Sequence, residues 1–150
     1  MVKEGDKAVD FNLKDKDGNN IKLSGFTGKK IILYFYPRDN TPGCTAEACS
    51  LRDIYDEILA KNAVVIGISP DKESSHTRFA DKHNLQFHLL SDPDKHVATL
   101  YGTYGEKKSY GKYILGILRK TFIIDEKQNI IKIFDKVTPK EHGKEILEYI

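Results

Sequence analysis

Three observations predict an α/β fold with a central mixed sheet flanked by helices. Short apolar runs at 31–36, 64–69 and 87–90 alternate with helix-forming stretches, the pattern of parallel strands joined by crossover helices. Phe11, Leu13, Ile21 and Leu23 alternate with polar residues on either side of a polar turn at 15–20, which reads as a leading β-hairpin. Residues 120–124 and 130–134 pair around 125–129 and precede a last helix, which adds an antiparallel edge.

The elements follow in order. The hairpin turns near Asp17-Gly18, and 24–30 reads as a loop. The run 31–36 has the length and the β-branched and aromatic content of a buried strand, and Pro37 ends it. A helix is predicted from Cys44 to Lys61, with Leu51, Ile54, Tyr55, Ile58 and Leu59 on one face. A second strand covers 64–69, a helix 72–83, a short strand 87–90 and a short helix the stretch after Asp92-Pro-Asp94. Residues 102–116, rich in glycine and tyrosine, read as a long loop. Thr138-Pro-Lys-Glu141 has the form of a capping box with proline at the first helical position, so the last helix is placed at 139–149. No repeat, linker or low-complexity segment breaks the chain, and 1–150 reads as one domain. Together the order suggests a thioredoxin-like sheet with an N-terminal β-hairpin added.

Composition excludes several classes. The net charge of +2 is near balance, and Lys29-Lys30 and Lys107-Lys108 are too short for a polyanion tract, so no nucleic acid or membrane partner is expected. The first residues, Met-Val-Lys-Glu-Gly-Asp-Lys, hold no apolar secretory core, and no run is long enough to span a bilayer. Two cysteines cannot staple a scaffold of this size, and a cytoplasmic setting with catalytic or redox thiols is expected.

The cysteines fall in Tyr34-Phe-Tyr-Pro-Arg-Asp-Asn-Thr-Pro-Gly-Cys44-Thr-Ala-Glu-Ala-Cys49. Pro42-Gly43 leads from the strand into the helix, so Cys44 is placed in a first helical turn. Backbone N–H groups are unpaired there and the helix dipole is positive, and thiols so placed ionise more readily. Burial as a small apolar residue is the competing reading for Cys44. The spacing fits neither a zinc pattern nor Cys-x-x-Cys. Thr41 is a candidate N-cap whose hydroxyl would accept from the Cys44 N–H. Arg119, at the start of an apolar strand, is either an exposed edge residue or a guanidinium that holds a thiolate ionised. Glu47, one turn after Cys44, reads by default as a solvated helix residue.

Pro37-x-x-x-Thr41-x-x-Cys44 matches the peroxiredoxin active-site motif. The longer string resembles the bacterioferritin comigratory protein (PrxQ) branch, in which a second cysteine follows five residues on. Leu89-Leu-Ser-Asp-Pro93 and Arg119-Lys-Thr-Phe-Ile-Ile-Asp125 resemble two further blocks of that branch. The resemblance implies a peroxidase without metal, flavin or haem. It implies that Cys44 is the peroxidatic and Cys49 the resolving cysteine, joined in an intramolecular disulfide that thioredoxin or a similar dithiol reduces. It assigns catalytic roles to Thr41 and Arg119, a shielding role to Pro37, substrate-facing N–H groups to Gly43 and Cys44, and a supporting role to Glu47. Hydrogen peroxide and organic hydroperoxides are the implied substrates, antioxidant defence the implied role, and a monomer the expected state. Two other classes remain on the residues alone: a disulfide oxidoreductase without peroxidase activity, which needs only the cysteines, and a non-enzymatic binding or holdase protein with two packing thiols.

Overall fold

Alternation along one central strand organises the molecule. The computed structural model describes residues 2–150. Strand β3 (Lys30–Phe35) lies between β4 (Ala63–Ser69), to which it is parallel, and β8 (Lys120–Ile124), to which it is antiparallel. Successive side chains point to opposite faces. Ile32, Tyr34 and the following Tyr36 therefore enter one core with Cys44, Ala48, Leu51 and Phe79. Ile31, Leu33 and Phe35 enter the other with Val97, Tyr101 and Phe122. A strand buried on both faces has to be apolar throughout, as this one is.

The sheet is completed by β1 (Asn12–Asp15), β2 (Asn20–Lys22), β5 (His88–Ser91) and β9 (Ile130–Phe134), in the order β2-β1-β5-β4-β3-β8-β9. The parallel pairs β3–β4 and β4–β5 are joined through α1 (Pro42–Asp53), α2 (Tyr55–Ala60) and α3 (Glu73–His83). Helix α4 (His96–Leu100) follows β5, and Asp92 accepts from the N–H groups of Val97 and Ala98 at 3.3 and 2.9 Å. The mixed sheet and its leading hairpin agree with the fold expected from the sequence.

Four expectations need correction. The helix over 44–61 starts earlier, at Pro42, and breaks at Ile54 (φ −114°, ψ 15°) into α1 and α2. No glycine or proline marks that break, and Leu59 ends up exposed rather than on the inner face. The loop expected over 102–116 is a hairpin of β6 (Tyr104–Ser109) and β7 (Lys112–Ile117). Its two-residue turn, Tyr110-Gly111, takes positive φ at both positions (51° and 79°), as tight hairpin turns require. The loop expected over 24–30 opens on a 3-10 turn, Leu23–Phe26, that begins one residue earlier. The last helix is a 3-10 turn, Pro139–Glu141, followed by α5 (His142–Leu147), and the Thr138 side chain makes no capping bond.

Helix α5 is held against α1 at very short range. Gly143 N–H donates to Ser50 Oγ at 3.2 Å, and a Cβ on Gly143 would meet the Ser50 carbonyl oxygen. Only glycine allows that approach. The segment of α1 that carries both cysteines is therefore packed from inside by β3 and at Ser50 by α5.

Candidate active site

Helix α1 begins where β3 ends. Asn40 adopts a left-handed conformation (φ 61°), which asparagine tolerates, and Thr41 is extended, so the chain turns sharply into Pro42 at the first helical position. The N–H groups of Gly43 and Cys44 have no acceptor among the described residues, while Thr45 N–H bonds the Thr41 carbonyl at 2.8 Å. Two unpaired donors and the positive end of a twelve-residue helix thus mark the turn that carries Cys44.

Arg119, between β7 and β8, reaches this point from the neighbouring strand. Its Nη2 donates to Cys44 Sγ at 3.2 Å and its Nη1 to Glu47 Oε1 at 2.6 Å. One guanidinium serves two acidic groups on one face of α1, three residues apart. A Cβ on Gly43 would lie 3.2 Å from Nη2, so glycine there leaves room for the arginine. Burial works against the Arg119 charge, but Glu47 and Cys44 outweigh it and hold the group firmly protonated.

Glu47 is wholly buried, not the solvated helix residue of its default reading. Burial lifts its pKa to about 7, outweighing the opposing pull of Arg119. Its second oxygen has no hydrogen-bond partner among the described residues and faces His142 Nε2 at 3.7 Å. His142 is buried too, and burial together with the Arg119 charge lowers its pKa to about 4, so the ring is neutral near pH 7. Its Nδ1 faces the Glu145 carboxylate at 3.5 Å, and a carboxylate only accepts. That places the proton on Nδ1 and leaves Nε2 to accept from the Thr121 hydroxyl at 2.7 Å. An accepting nitrogen beside Glu47 Oε2 adds no stabilisation to the carboxylate, in keeping with its raised pKa.

A second buried group braces the loop between β3 and α1. Asp39 accepts from Tyr36 Oη (2.6 Å), Ser75 Oγ (2.7 Å) and His76 Nδ1 (2.8 Å), and the other His76 nitrogen faces the Leu90 carbonyl at 3.0 Å. Burial alone would raise Asp39; the bonds and charge of His76, with the hydroxyls of Tyr36 and Ser75, outweigh it and hold the carboxyl below its usual range. Asp71 accepts from Asp39 N–H at 2.8 Å and from Ser69 Oγ at 2.7 Å. Ligand-type atoms of Asp39, Asp71 and His76 lie within 4.8 Å of one another. They are already committed to hydrogen bonds, which makes the cluster a rigid brace.

The structure thus brings together Cys44, Gly43, Glu47 and Arg119. Pro37 borders the same point, lining with Arg119, Ile117, Leu118 and Val137 a cleft of about 520 Å³. Thr41 departs from expectation: its hydroxyl donates to the Arg38 carbonyl at 2.9 Å instead of accepting from Cys44 N–H. Cys49 lies apart, half-buried on α1, while Cys44 is buried, and both are free thiols. His142, Thr121 and the brace of Tyr36, Asp39 and His76 were not singled out from the sequence. Glu47 carried a readable signal: it falls in the helical stripe of Cys44, Ala48 and Leu51.

Comparison with known proteins converges on one family. The AhpC/TSA family matches residues 4–133. Peroxiredoxin Bcp of Bacillus subtilis is 45% identical over 147 residues, covering 98% of this chain and 94% of the relative. A cysteine-to-serine variant of Xylella fastidiosa PrxQ superposes with a TM-score of 0.92 at 30% identity, over 99% of this chain and 94% of that one. The bacterioferritin comigratory protein of Xanthomonas campestris, described by its alkyl peroxide reduction activity, superposes with a TM-score of 0.86 at 31% identity, over 92% and 88%. On matches that run nearly from end to end in sequence and in fold, this chain belongs to the AhpC/TSA family, among its peroxiredoxins of the bacterioferritin comigratory protein (PrxQ) branch.

Proposed function

We propose that this peroxidase reduces hydrogen peroxide and organic hydroperoxides through a sulfenic acid on Cys44 and an intramolecular Cys44–Cys49 disulfide, recycled by thioredoxin or a similar dithiol. The observation that carries the proposal is the 3.2 Å contact from Arg119 to Cys44 Sγ at a helix start with unpaired N–H groups. A disulfide oxidoreductase without peroxidase activity needs only the cysteines, whereas a guanidinium placed to meet the charge of a breaking O–O bond has its use mainly in peroxide chemistry.

The hydroperoxide enters the cleft beside Pro37 and Arg119. The Cys44 thiolate attacks one peroxide oxygen; an S–O bond forms, the O–O bond breaks, and the leaving alkoxide or hydroxide takes a proton. The sulfenic acid then condenses with the Cys49 thiol to give the disulfide and water. A dithiol returns the two electrons by exchange. An unperturbed thiol is a few per cent ionised at neutral pH, so full ionisation gains at most roughly thirtyfold. Most of the acceleration therefore falls to the donors that meet the charge developing as O–O breaks: Arg119 and the N–H groups of Gly43 and Cys44. The Thr41 hydroxyl proton is committed to Arg38, so its oxygen is offered as an acceptor for the hydroperoxide O–H.

Turnover tests this reading. With dithiothreitol or thioredoxin as reductant, the enzyme is expected to consume hydrogen peroxide and an alkyl hydroperoxide catalytically. Thiol oxidation that does not depend on peroxide would contradict it.

The disulfide cannot form on the observed helix. Cys44 and Cys49 lie on the unbroken α1, so they are separated by roughly 7.5 Å along the axis and point about 140° apart. A bridge needs Cα atoms within ~6.8 Å and converging Cβ vectors. Part of 44–50 must unwind, and Glu47, between the cysteines, leaves its buried position with it. In the closed helix Glu47 has a pKa of about 7, against 4.5 when exposed. Between those values the closed form holds a proton that the open form releases. Opening is therefore easier as pH rises from about 4.5 to about 7, with no further gain above. The rate of disulfide formation in the native enzyme, divided by that of Glu47→Gln, is expected to climb across that window and then level off. A ratio independent of pH would show that Glu47 keeps its place.

A further inference from the structure

We infer that the groove between α1 and α3 is the docking surface for the dithiol protein that recycles the enzyme, and that it selects a partner with acidic side chains beside its dithiol. The inference rests on the Cys44–Cys49 reading above and extends it to the partner.

The disulfide would span α1 from its first turn to its middle, so an exchanging partner has to lie over the exposed side of that helix. In the reduced protein Thr45, Cys49 and Arg52, all half-buried, form one stripe on that side by helical spacing, and Arg52 lies outside the segment 44–50 that unwinds when the disulfide forms. Two side-chain ties join the end of α3 to the two ends of the stripe. Lys82 Nζ donates to Asn40 Oδ1 at 3.3 Å beside the start of α1, and Arg52 Nη1 donates to the His83 carbonyl at 2.9 Å near its end. Cys49 stands between these two ties.

A cleft of about 350 Å³ opens at the upper end of this groove, and Arg38, Arg78 and Lys82 line it together with Asp39 and Asp71. Asp39 is buried and bound by Tyr36, Ser75 and His76, and Asp71 is held through its Oδ2 by Ser69 and the Asp39 N–H, which leaves three cations against two anchored carboxylates. The three cations are exposed, and none has a carboxylate within 4.0 Å among the described residues. On the neighbouring surface Asp53 is occupied by Arg52 at 2.9 Å, which leaves Asp81 as the exposed acid on the same turn of α3. Arg78 and Lys82 are four apart on one helix, a like-charge pair that weakens an isolated helix. The C-terminal end of α3 favours a cation at Lys82, but among the described residues no carboxylate lies within 4.0 Å of either side chain. An acidic partner would supply one, and complementary charge of this kind acts mainly on the rate and specificity of encounter.

The test compares two reductants, an acidic thioredoxin and dithiothreitol, on the native enzyme and on the Arg78→Glu/Lys82→Glu variant. With thioredoxin at low salt, charge reversal is expected to lower kcat/KM by about tenfold. Added salt should lower kcat/KM for the native enzyme and leave the variant nearly unchanged. Dithiothreitol-supported turnover and single-turnover peroxide consumption should be equal in both proteins. Arg78→Ala and Lys82→Ala, each with a smaller effect of the same sign, control for altered folding. Equal thioredoxin kinetics at every salt concentration overturn the inference, as does turnover with dithiothreitol but none with thioredoxin. Failure of the native enzyme with dithiothreitol would instead remove the Cys44–Cys49 reading beneath it.

Discussion

Cys44→Ser is expected to abolish hydroperoxide consumption, whereas Cys49→Ser should consume about one equivalent and stop. The asymmetry follows from position. Cys44 lies in the first turn of α1, against Arg119 Nη2 at 3.2 Å and beside two unpaired N–H groups. Cys49 is in the middle of the helix, where N–H groups are spent on the preceding turn and no cation donates to its sulfur among the described residues. Serine at 44 removes the nucleophile. Serine at 49 leaves the first step intact, because the Cys49 side chain makes no hydrogen bond to Cys44, Glu47 or Arg119, but the sulfenic acid has no thiol to condense with. Rapid-quench measurement of peroxide consumed per protein, in the absence of reductant, checks both variants. Retained activity in Cys44→Ser, with a sulfenic acid on Cys49, would reverse the assignment.

Arg119→Met is expected to slow the reaction of Cys44 with hydroperoxide by roughly 10²–10³. Methionine keeps the bulk and removes both donors. The loss has two sources: the thiolate loses its cation, and the breaking O–O bond loses a preorganised donor. Glu47 also loses its partner at 2.6 Å. A charged carboxylate left alone in the interior is costly, but Glu47 already titrates at about 7 and responds by taking up a proton, which limits the damage to stability. The second-order rate constant, measured by competition with a reference peroxidase, should therefore fall far more than the thermal midpoint. A variant with native rate constant would place the catalytic donors elsewhere.

What was legible in the sequence, and what was not, divides by range. Strand β3 was readable because both of its faces are buried, which makes it an uninterrupted apolar run. The start of α1 was readable to within two residues because Pro42-Gly43 punctuates it. Hairpin β6–β7 was not. Gly105 pairs with Gly116 and lysines sit among the remaining positions, so a ribbon that stands outside the main sheet shows no period-two pattern. The buried brace of Asp39 and His76 joins residues 37 apart, and nothing local marks either as buried. Glu47 is the intermediate case. Its place in the stripe of Cys44, Ala48 and Leu51 pointed inward, but its charge pointed outward, and only the approach of Arg119 from the connection between β7 and β8 resolves the conflict. His142 shares the last helix with the buried Ile146 four residues on, which pointed it inward; its contact with Thr121 depends on the docking of α5 at Gly143 and could not be read.

The account stands on one chemical event, the joining of Cys44 to Cys49 within a single chain. The most direct measurement treats the fully reduced protein with about one equivalent of hydroperoxide, blocks free thiols, and maps the cysteines by mass spectrometry under non-reducing conditions. The account predicts a monomer lighter by two hydrogens, with Cys44 and Cys49 linked in one peptide. A disulfide-linked dimer as the turnover-competent product, or a sulfenic acid on Cys49 with Cys44 still a free thiol, would contradict it.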